Sequence, residues 1–244
     1  IKNTLKQQKM MNLGKKKIML VNPPGVAQRF SVKACSLPLG LAYLGAVLEN
    51  NGYNVSALDA VIENFNHEEH FGQMISYGMP IEDIKERIRQ AKPYILGVSC
   101  IFTNKYPLVV KIAKAAKELG VPYVVLGGNH ATAMADEILK NEQSVDFIIL
   151  GEGERSFLKL TDALPGNNFE MINGLAYRKN GEIKINSNID YTNDLDELPF
   201  PVRDLFPVEK YFEIGAQYSI FTEKGTRKPS ISTSRGCPAK CTFC

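Results

Sequence analysis

Long apolar segments and a strong net charge are both missing from this sequence. No apolar run approaches the roughly 20 residues that a helix needs to cross a bilayer. A net charge of +3 over 244 residues is too weak to indicate nucleic acid as a partner. The lysine-rich start leads into only a short apolar strand, which disfavours a signal peptide. We therefore expect residues 1–16 to be a disordered leader, and we expect neither a membrane span nor a nucleic-acid partner.

Two other familiar patterns are absent. The five cysteines, three of them inside eight residues, do not form the even, widely spaced set of a disulfide framework. The sequence also lacks G-x-G-x-x-G after its first strand and G-x-x-x-x-G-K-S/T anywhere, so the usual dinucleotide and triphosphate motifs are missing. A reducing cytoplasm is the expected compartment, and a nicotinamide- or ATP-dependent activity is disfavoured.

From residue 17 onward, short apolar runs alternate with helical patterns, which is typical of βαβ units around a parallel sheet. The strands are predicted at 18–21, 54–58, 95–99, 123–126 and 147–150. The helices are predicted at 39–51, 81–91, 108–119, 131–140 and 154–163. These elements predict an α/β domain with a doubly wound, Rossmann-like, five-stranded parallel sheet over residues 17–165.

The pattern changes after residue 165. Segments 175–178 and 182–185 predict a β-hairpin, and the prolines of 194–211 favour an extended connection over a helix, so residues 166–226 are interpreted as a hairpin and linker. Pro229 to Thr233 predicts a strand that runs directly into the cysteines. Residues 227–244 would begin a second domain. Because residue 1 is not Met and the last residue is a motif cysteine, we interpret the chain as part of a longer protein.

The loops after the predicted strands form the candidate ligand site, because open α/β sheets bind ligands outside the carboxyl ends of their strands. These loops are rich in glycine and small residues, which let a flat or bulky ligand approach the backbone. A tight turn explains any one of these glycines better, whereas their coincidence at one end of the sheet favours a ligand. The candidate residues are Pro24, Gly25, Ser99, Cys100, Ile101, Gly127, Gly128, Asn129, His130, Gly151, Glu152 and Gly153.

Cys237, Cys241 and Cys244 have C-x-x-x-C-x-x-C spacing, so their thiolates can converge from one tight loop. Thiolates are the usual ligands of iron–sulfur clusters, and three protein ligands on a four-iron cluster leave one iron open to a substrate or cofactor. A zinc site would need a fourth ligand, for which the sequence offers no nearby Cys or His. Free structural cysteines are the other alternative. Phe243, beside the last cysteine, could shield a cluster from water.

This motif resembles the hallmark of radical S-adenosylmethionine enzymes, C-x-x-x-C-x-aromatic-C after a strand. The resemblance implies a [4Fe-4S] cluster on the three cysteines, with Phe243 as the aromatic residue and S-adenosylmethionine on the open iron. Reductive cleavage of S-adenosylmethionine would give a 5′-deoxyadenosyl radical, and an external donor such as flavodoxin or ferredoxin would supply the electrons. The motif would follow the first strand of a partial (β/α) barrel, whose remainder would lie beyond residue 244.

The upstream domain resembles the cobalamin-binding fold, in which S-x-L and G-G motifs follow the third and fourth strands. Ser99-x-Ile101 and Gly127-Gly128 match those motifs. Further matching segments are LPLGLAYLGAVLENNGY (37–53), GGNHATA (127–133), GEGE (151–154) and LDELPFPVRDL (195–205). The resemblance covers nearly everything after Lys15 and points to the cobalamin-dependent radical S-adenosylmethionine enzymes.

The placement of histidine departs from one pattern of that fold. Many cobalamin domains carry D-x-H-x-x-G after the first strand, with the histidine as lower axial ligand of cobalt, but here the loop reads VNPPGVAQ. The resemblance therefore implies base-off cobalamin without a protein histidine ligand, its base tail buried near the S-x-L and G-G positions. His130 is the one alternative ligand, but a lone histidine after a turn is more often a hydrogen-bonding surface residue, which is the expectation here. The i, i+3 spacing of His67 and His70 would suit a metal site, but a solvated face is favoured, within a segment (61–80) that is either a lid or a surface excursion.

The resemblance implies an anaerobic, cytoplasmic enzyme, most often one that transfers a methyl group to an unactivated carbon of a small-molecule, natural-product or tetrapyrrole-type substrate. Oxidative cyclisation or ring rearrangement, as in a tetrapyrrole ring cyclase, is the alternative on the same scaffold. Outside this class, the chain could be a non-catalytic cobalamin-binding module, or a flavodoxin-like domain followed by an unrelated zinc site. The sequence identifies no catalytic acid or base.

Overall fold

The apolar runs form a mixed α/β structure in the computed structural model of the chain, which describes residues 16–215, 227–237, 239 and 241–242. In chain order the strands are β1 (Lys17–Asn22), β2 (Gly25–Gln28), β3 (Asn54–Asp59), β4 (Glu68–Phe71), β5 (Met74–Tyr77), β6 (Ile95–Ser99), β7 (Tyr123–Gly127), β8 (Phe147–Ile149), β9 (Leu175–Lys179) and β10 (Glu182–Ile185). The helices are α1 (Leu39–Asn50), α2 (Ala60–Glu63), α3 (Ile81–Ala91), α4 (Tyr106–Glu118), α5 (Asn129–Ala133), α6 (Ala135–Asn141), α7 (Glu154–Ala163) and α8 (Val208–Ile214). No helix among the described residues is long and apolar enough to cross a membrane.

The main sheet has the strand order β10-β9-β8-β7-β6-β1-β3. The strands from β8 to β3 are parallel, with Leu20 of β1 opposite Ala57 of β3 and Gly97 of β6. The five predicted strands are therefore present and parallel. The sheet is larger than predicted, because the hairpin of β9 and β10 pairs antiparallel with β8. Leu175 and Tyr177 of β9 are buried there, so the hairpin is part of the domain core.

Helices cover both faces of the sheet because successive side chains of a strand point to opposite sides. Ile18 and Leu20 of β1 pack in the cluster that includes residues of α1 and α7. Met19 and Val21 pack in the cluster that includes residues of α3, α4 and α6. All four side chains are buried, as expected for a central strand covered on both faces.

Residues 61–80 form most of a second, three-stranded antiparallel sheet with the order β2-β5-β4. Ile75 and Tyr77 of β5 are buried, and a Cβ at Gly25 would lie 2.1 Å from the Tyr77 ring. The strand β4, which carries His70, is exposed along its whole length, in agreement with the predicted solvated face. The segment therefore forms a packed subdomain at the surface. Its contact between Tyr77 and position 25 requires glycine at that position.

The extended connection predicted over 194–211 is only partly right. Short 3-10 turns occupy Leu195–Glu197 and Arg203–Leu205, and α8 begins directly after Pro207. Proline suits a helix start, because the N–H it lacks would have no intrahelical partner there. The segment also packs closely on α1, since a Cβ at Gly45 would lie 2.8 Å from the Leu205 side chain.

The strand predicted from Pro229 to Thr233 is wrong for the described chain, where residues 227–235 have no regular structure. A strand exists through its ladder of hydrogen bonds, and no described segment pairs with this one. Arg203 instead holds it by donating a hydrogen bond to the Ser230 carbonyl at 2.8 Å. The (β/α) barrel that would follow this segment stays a prediction.

Asp59, at the end of β3, is a buried carboxylate that joins three parts of the fold. Its oxygens accept hydrogen bonds from Asn22 Nδ2 at 2.7 Å, from the Val61 N–H at 3.0 Å and from the Tyr211 hydroxyl. Burial raises its pKa, and these hydrogen bonds oppose the rise. The Tyr211 hydroxyl thus anchors α8 to the sheet.

Replacing Tyr211 with Phe is expected to lower the free energy of unfolding by about 1–3 kcal/mol, because a buried oxygen of Asp59 loses its donor. Urea denaturation followed by circular dichroism measures the change. Tyr191→Phe is the matched control, since Tyr191 is 60% exposed. Equal unfolding midpoints for the wild type and Tyr211→Phe would contradict the anchoring role.

Candidate functional site at the carboxyl edge of the sheet

A cavity of about 590 Å³ lies at the carboxyl edge of the parallel strands, between the sheet and the first turns of α1 and α7. Its floor comes from β1, β6, β7 and β8, and its wall from residues between 36 and 44. Its rim comes from residues 151–154 and from Ser232, Arg235 and Gly236. This edge is where open α/β sheets bind ligands, and the volume lies within the range of about 300–1,000 Å³ that is usual for small-molecule sites.

The floor of the cavity is apolar. Leu20, Val125 and Ile149 reach it from three strands, and Phe157 of α7 closes one side. Gly97 of β6 lies among them, and a Cβ there would be 3.0 Å from the Leu20 side chain and 3.3 Å from the Phe157 ring. The missing side chain lets these groups pack together and leaves a smooth surface for an apolar, flat ligand.

The glycine pair after β7 serves two different purposes. Gly128 has a φ of +112°, at which side chains are strained, and a Cβ there would lie 2.8 Å from the Cys100 carbonyl oxygen. A Cβ at Gly127 would meet only the Ile149 carbonyl oxygen at 3.9 Å, and Gly127 lines the cavity. Gly128 therefore closes the turn, whereas Gly127 leaves room for a ligand.

The loop after β6 is held against this turn by backbone hydrogen bonds. The Cys100 N–H donates to the Gly127 carbonyl at 2.7 Å, and the His130 N–H donates to the Ile101 carbonyl at 3.2 Å. Ser99 and Ile101 consequently line the cavity. Cys100 belongs to the hydrophobic core and has an exposed fraction of 0%.

His130 is buried, which corrects the expected surface position. Its exposed fraction is 9%, its Nδ1 lies 3.1 Å from Thr103 Oγ1, and its ring centre lies 4.9 Å from that of Tyr106. The short helix α5 begins at Asn129 and directs the ring toward α4. None of the described residues that line the cavity is a histidine.

The loop after β8 places two carboxylates at the rim. Gly151 has a φ of +65°, and its N–H donates to Thr132 Oγ1 at 3.0 Å, which fixes the turn. Glu152 accepts a hydrogen bond from the Thr192 N–H at 2.9 Å. Glu154, the first residue of α7, has an exposed fraction of 6%. Both glutamates line the cavity.

Arg235 brings the cysteine segment to the same rim. Its Nη1 lies 3.1 Å from Glu152 Oε2, its Nη2 lies 2.6 Å from Glu154 Oε1, and its guanidinium lies 5.3 Å from the centre of the Tyr43 ring. Burial lowers its pKa, but the ion pairs raise it by more, so the guanidinium stays charged. Gly236 also lines the cavity, so the first motif cysteine directly follows a cavity residue.

The structure brings most of the candidate loop residues to one cavity, and these are Ser99, Ile101, Gly127, Gly128, Gly151, Glu152 and Gly153. The remaining candidates lie elsewhere. Pro24 and Gly25 lead into the small sheet, Cys100 belongs to the core, and Asn129 and His130 start α5. The wall from α1 and the Arg235 contacts were not predicted from the sequence.

Two of the three motif cysteines lie in the described part of the chain. Cys237 and Cys241 are exposed and form no disulfide, as metal-binding thiols require. Cys244 and Phe243 lie outside the described residues. The cluster ligand set therefore stays a prediction.

The cysteines are expected to differ in reactivity. Burial raises the pKa of the Cys100 thiol to about 12, so it stays protonated at neutral pH. In the cluster-free native protein, iodoacetamide should modify Cys237 and Cys241 at least about ten times faster than Cys35 and Cys100. Peptide mass spectrometry measures the rates, and urea-unfolded protein, in which the rates converge, is the control. Rapid native modification of Cys100 would contradict its buried placement.

The described residues fit the nucleotide tail of cobalamin. Gly127 leaves space above a floor of apolar side chains. The apolar floor suits the flat base of the tail, while the Ser99 hydroxyl can donate to its phosphate and the Glu152 carboxylate can accept from a hydroxyl of its sugar. The cavity thus combines apolar walls with a few polar groups, as small-molecule sites usually do.

Comparison with known proteins agrees with this geometry. A family model described as the B12 binding domain matches residues 26–161. Cytidylyl-2-hydroxyethylphosphonate methyltransferase from Streptomyces wedmorensis is 33% identical, with 93% of this chain and 47% of the relative covered. Anaerobic magnesium-protoporphyrin IX monomethyl ester cyclase from a Synechocystis species is 29% identical, with coverages of 93% and 42%. The chain therefore spans a little under half the length of these curated relatives.

A solved structure has the same fold. The cobalamin-dependent S-adenosylmethionine radical enzyme OxsB, with aqua-cobalamin and S-adenosylmethionine bound, superposes with a TM-score of 0.62 at 20% identity. The superposition covers 80% of this chain and 25% of that one. The chain belongs to the B12-binding domain family, and it shares its fold with the corresponding part of the radical enzyme OxsB.

Proposed function

We propose that the protein containing this chain binds cobalamin and a [4Fe-4S] cluster side by side and transfers a methyl group from S-adenosylmethionine to an unactivated carbon of a small-molecule substrate. One observation carries the proposal. The residues just before Cys237 line the same cavity as Ser99 and Gly127. A cluster on the cysteine loop would therefore lie next to cobalamin whose tail fills the cavity.

In this proposal, the residues of this chain bind the two cofactors and orient them. The floor and the wall from α1 exclude water from the tail, and Gly127 provides the space for it. A tail buried in the cavity would keep the base of cobalamin away from cobalt, and none of the described cavity residues is a histidine. Cys237, Cys241 and Cys244 would hold the cluster, and Phe243 would shield it.

The cofactors supply one-electron chemistry and methyl transfer, while the protein supplies position and a dry environment. Each turnover would consume two molecules of S-adenosylmethionine, two electrons and one substrate C–H group. The products would be the methylated substrate, S-adenosylhomocysteine, methionine and 5′-deoxyadenosine, in which atoms and charge balance. An external electron donor of the flavodoxin or ferredoxin class would provide the electrons.

Oxidative cyclisation is the second candidate function, and the similarity to the ester cyclase supports it. A cyclase would form 5′-deoxyadenosine without transferring a methyl group. A non-catalytic cobalamin-binding module would form neither product.

Product analysis separates these functions. The complete protein is reconstituted without oxygen with iron, sulfide and hydroxocobalamin, then incubated with S-adenosylmethionine and dithionite. Methyl transfer predicts 5′-deoxyadenosine together with S-adenosylhomocysteine at about one equivalent per bound cobalamin. 5′-Deoxyadenosine alone would favour cyclisation. If cobalamin binds but neither product forms, the protein is a non-catalytic binding module. Cys237→Ala, which removes a cluster ligand, is the negative control.

A further inference from the structure

Arg235 joins distant segments of the chain at the cavity rim. It pairs with Glu152 and Glu154, which precede it by 83 and 81 positions, and its guanidinium lies over the Tyr43 ring of α1. Glu152 in turn accepts a hydrogen bond from the Thr192 N–H. Arg235 therefore holds the segment that contains it against α1 and against the loop after β8. Through Glu152, it is also connected to the linker at Thr192.

Glu154 depends on this contact. Its side chain is 7% exposed, and within the described ranges Arg235 is the only side chain at hydrogen-bond or ion-pair distance from it. A buried carboxylate without a partner is strongly destabilising. The planar guanidinium can hold two carboxylates in a fixed geometry, which a lysine ammonium cannot do. The contact consequently orders both the rim loop and the segment that carries Arg235.

Arg235 stands two positions before Cys237, with Gly236 between them. Two residues of extended chain span at most about 7 Å, so the anchored arginine restricts where the first motif cysteine can lie. We infer that Arg235 is a positioning residue that holds residues 232–237 against the cavity and couples ligand binding there to the order of the rim.

The coupling acts in both directions, because an interaction between two sites changes both equilibria by the same factor. A ligand that fills the cavity stabilises the rim and with it the cysteine segment. The contacts of Arg235 with Glu152 and Glu154, in turn, keep the rim ordered beside the ligand. The inference takes its ligand, cobalamin, from the proposed function, whereas the anchoring of the segment does not require that ligand.

Hydrogen–deuterium exchange of the complete, cluster-free protein tests the inference in the peptide spanning 186–195, because the Thr192 N–H donates to the Glu152 carboxylate that Arg235 holds. The variants are Arg235→Gln and Glu154→Gln, of which the second removes the buried charge and so preserves folding. Arg89→Gln is the matched control, because Arg89 pairs with Glu86 on an exposed helix surface remote from the cavity. A peptide from β1 reports any global unfolding.

Both variants are expected to exchange at least about tenfold faster than wild type in this peptide, with wild-type rates in the control and in β1. Hydroxocobalamin is expected to slow exchange in wild type and to bind the variants about three- to tenfold more weakly. Wild-type exchange in both variants would overturn the inference, whether or not cobalamin binds. Faster exchange in the variants, with no cobalamin bound by the wild type, would support the anchor and overturn the proposed function.

Discussion

Replacing Gly127 with leucine is expected to weaken cobalamin binding by at least about 100-fold, equivalent to about 2.7 kcal/mol. The new side chain would occupy the cavity, because a Cβ at this position meets only the Ile149 carbonyl oxygen at 3.9 Å. Gly127 ends strand β7, and its φ lies outside the positive range that disfavours side chains. The fold should therefore accept the leucine with a small change in thermal midpoint.

Titration of the visible absorbance of hydroxocobalamin measures the affinity, and differential scanning fluorimetry measures the thermal midpoint. Gly128→Ala is the contrasting control, because its φ of +112° and the 2.8 Å approach to the Cys100 carbonyl oxygen predict a loss of stability. Unchanged cobalamin affinity in Gly127→Leu would show that the tail binds elsewhere.

Replacing Cys241 with alanine is expected to remove the cluster and leave cobalamin binding intact. The loss of one of three thiolate ligands should lower the iron content from about four per protein to near zero and abolish the EPR signal of the reduced cluster. Cys241 is exposed and does not line the cavity, so the affinity for cobalamin should stay within about twofold of wild type.

Thr242→Ala is the matched control for this variant, because Thr242 is exposed and lies within the motif but has no thiolate. Its iron content should equal that of the wild type. Full iron content in Cys241→Ala, or zinc in place of iron in the wild type, would contradict the cluster assignment.

The parallel sheet was predictable because its strands are continuous apolar runs separated by helical periodicity, a strong local signal. The site loops were predictable for a related reason, since chain topology alone brings the carboxyl ends of parallel strands to one edge. The loop after β1 does not line the cavity as predicted. Pro24 and Gly25 instead lead into an extra strand, β2, whose partner β5 lies some 50 positions away in the sequence. No local sequence pattern predicts such a pairing.

The wall and rim of the site were not predictable from local sequence. The α1 residues that line the cavity have the apolar pattern of any core-facing helix. Arg235 looks like an ordinary charge beside a motif, and its partners lie more than 80 positions earlier. His130 was misplaced because nothing local shows that α5 begins at Asn129 and turns the ring inward. Such contacts depend on packing between distant segments.

The central claim is that the cavity at the sheet edge holds the nucleotide tail of base-off cobalamin. Its most direct test compares the affinities of the reconstituted protein for cobalamin and for cobinamide, which lacks the tail, and records the EPR spectrum of the bound cob(II)alamin. We expect at least about 100-fold weaker binding of cobinamide and a spectrum without nitrogen splitting from an axial base. Equal affinities, or a spectrum with that splitting, would contradict it.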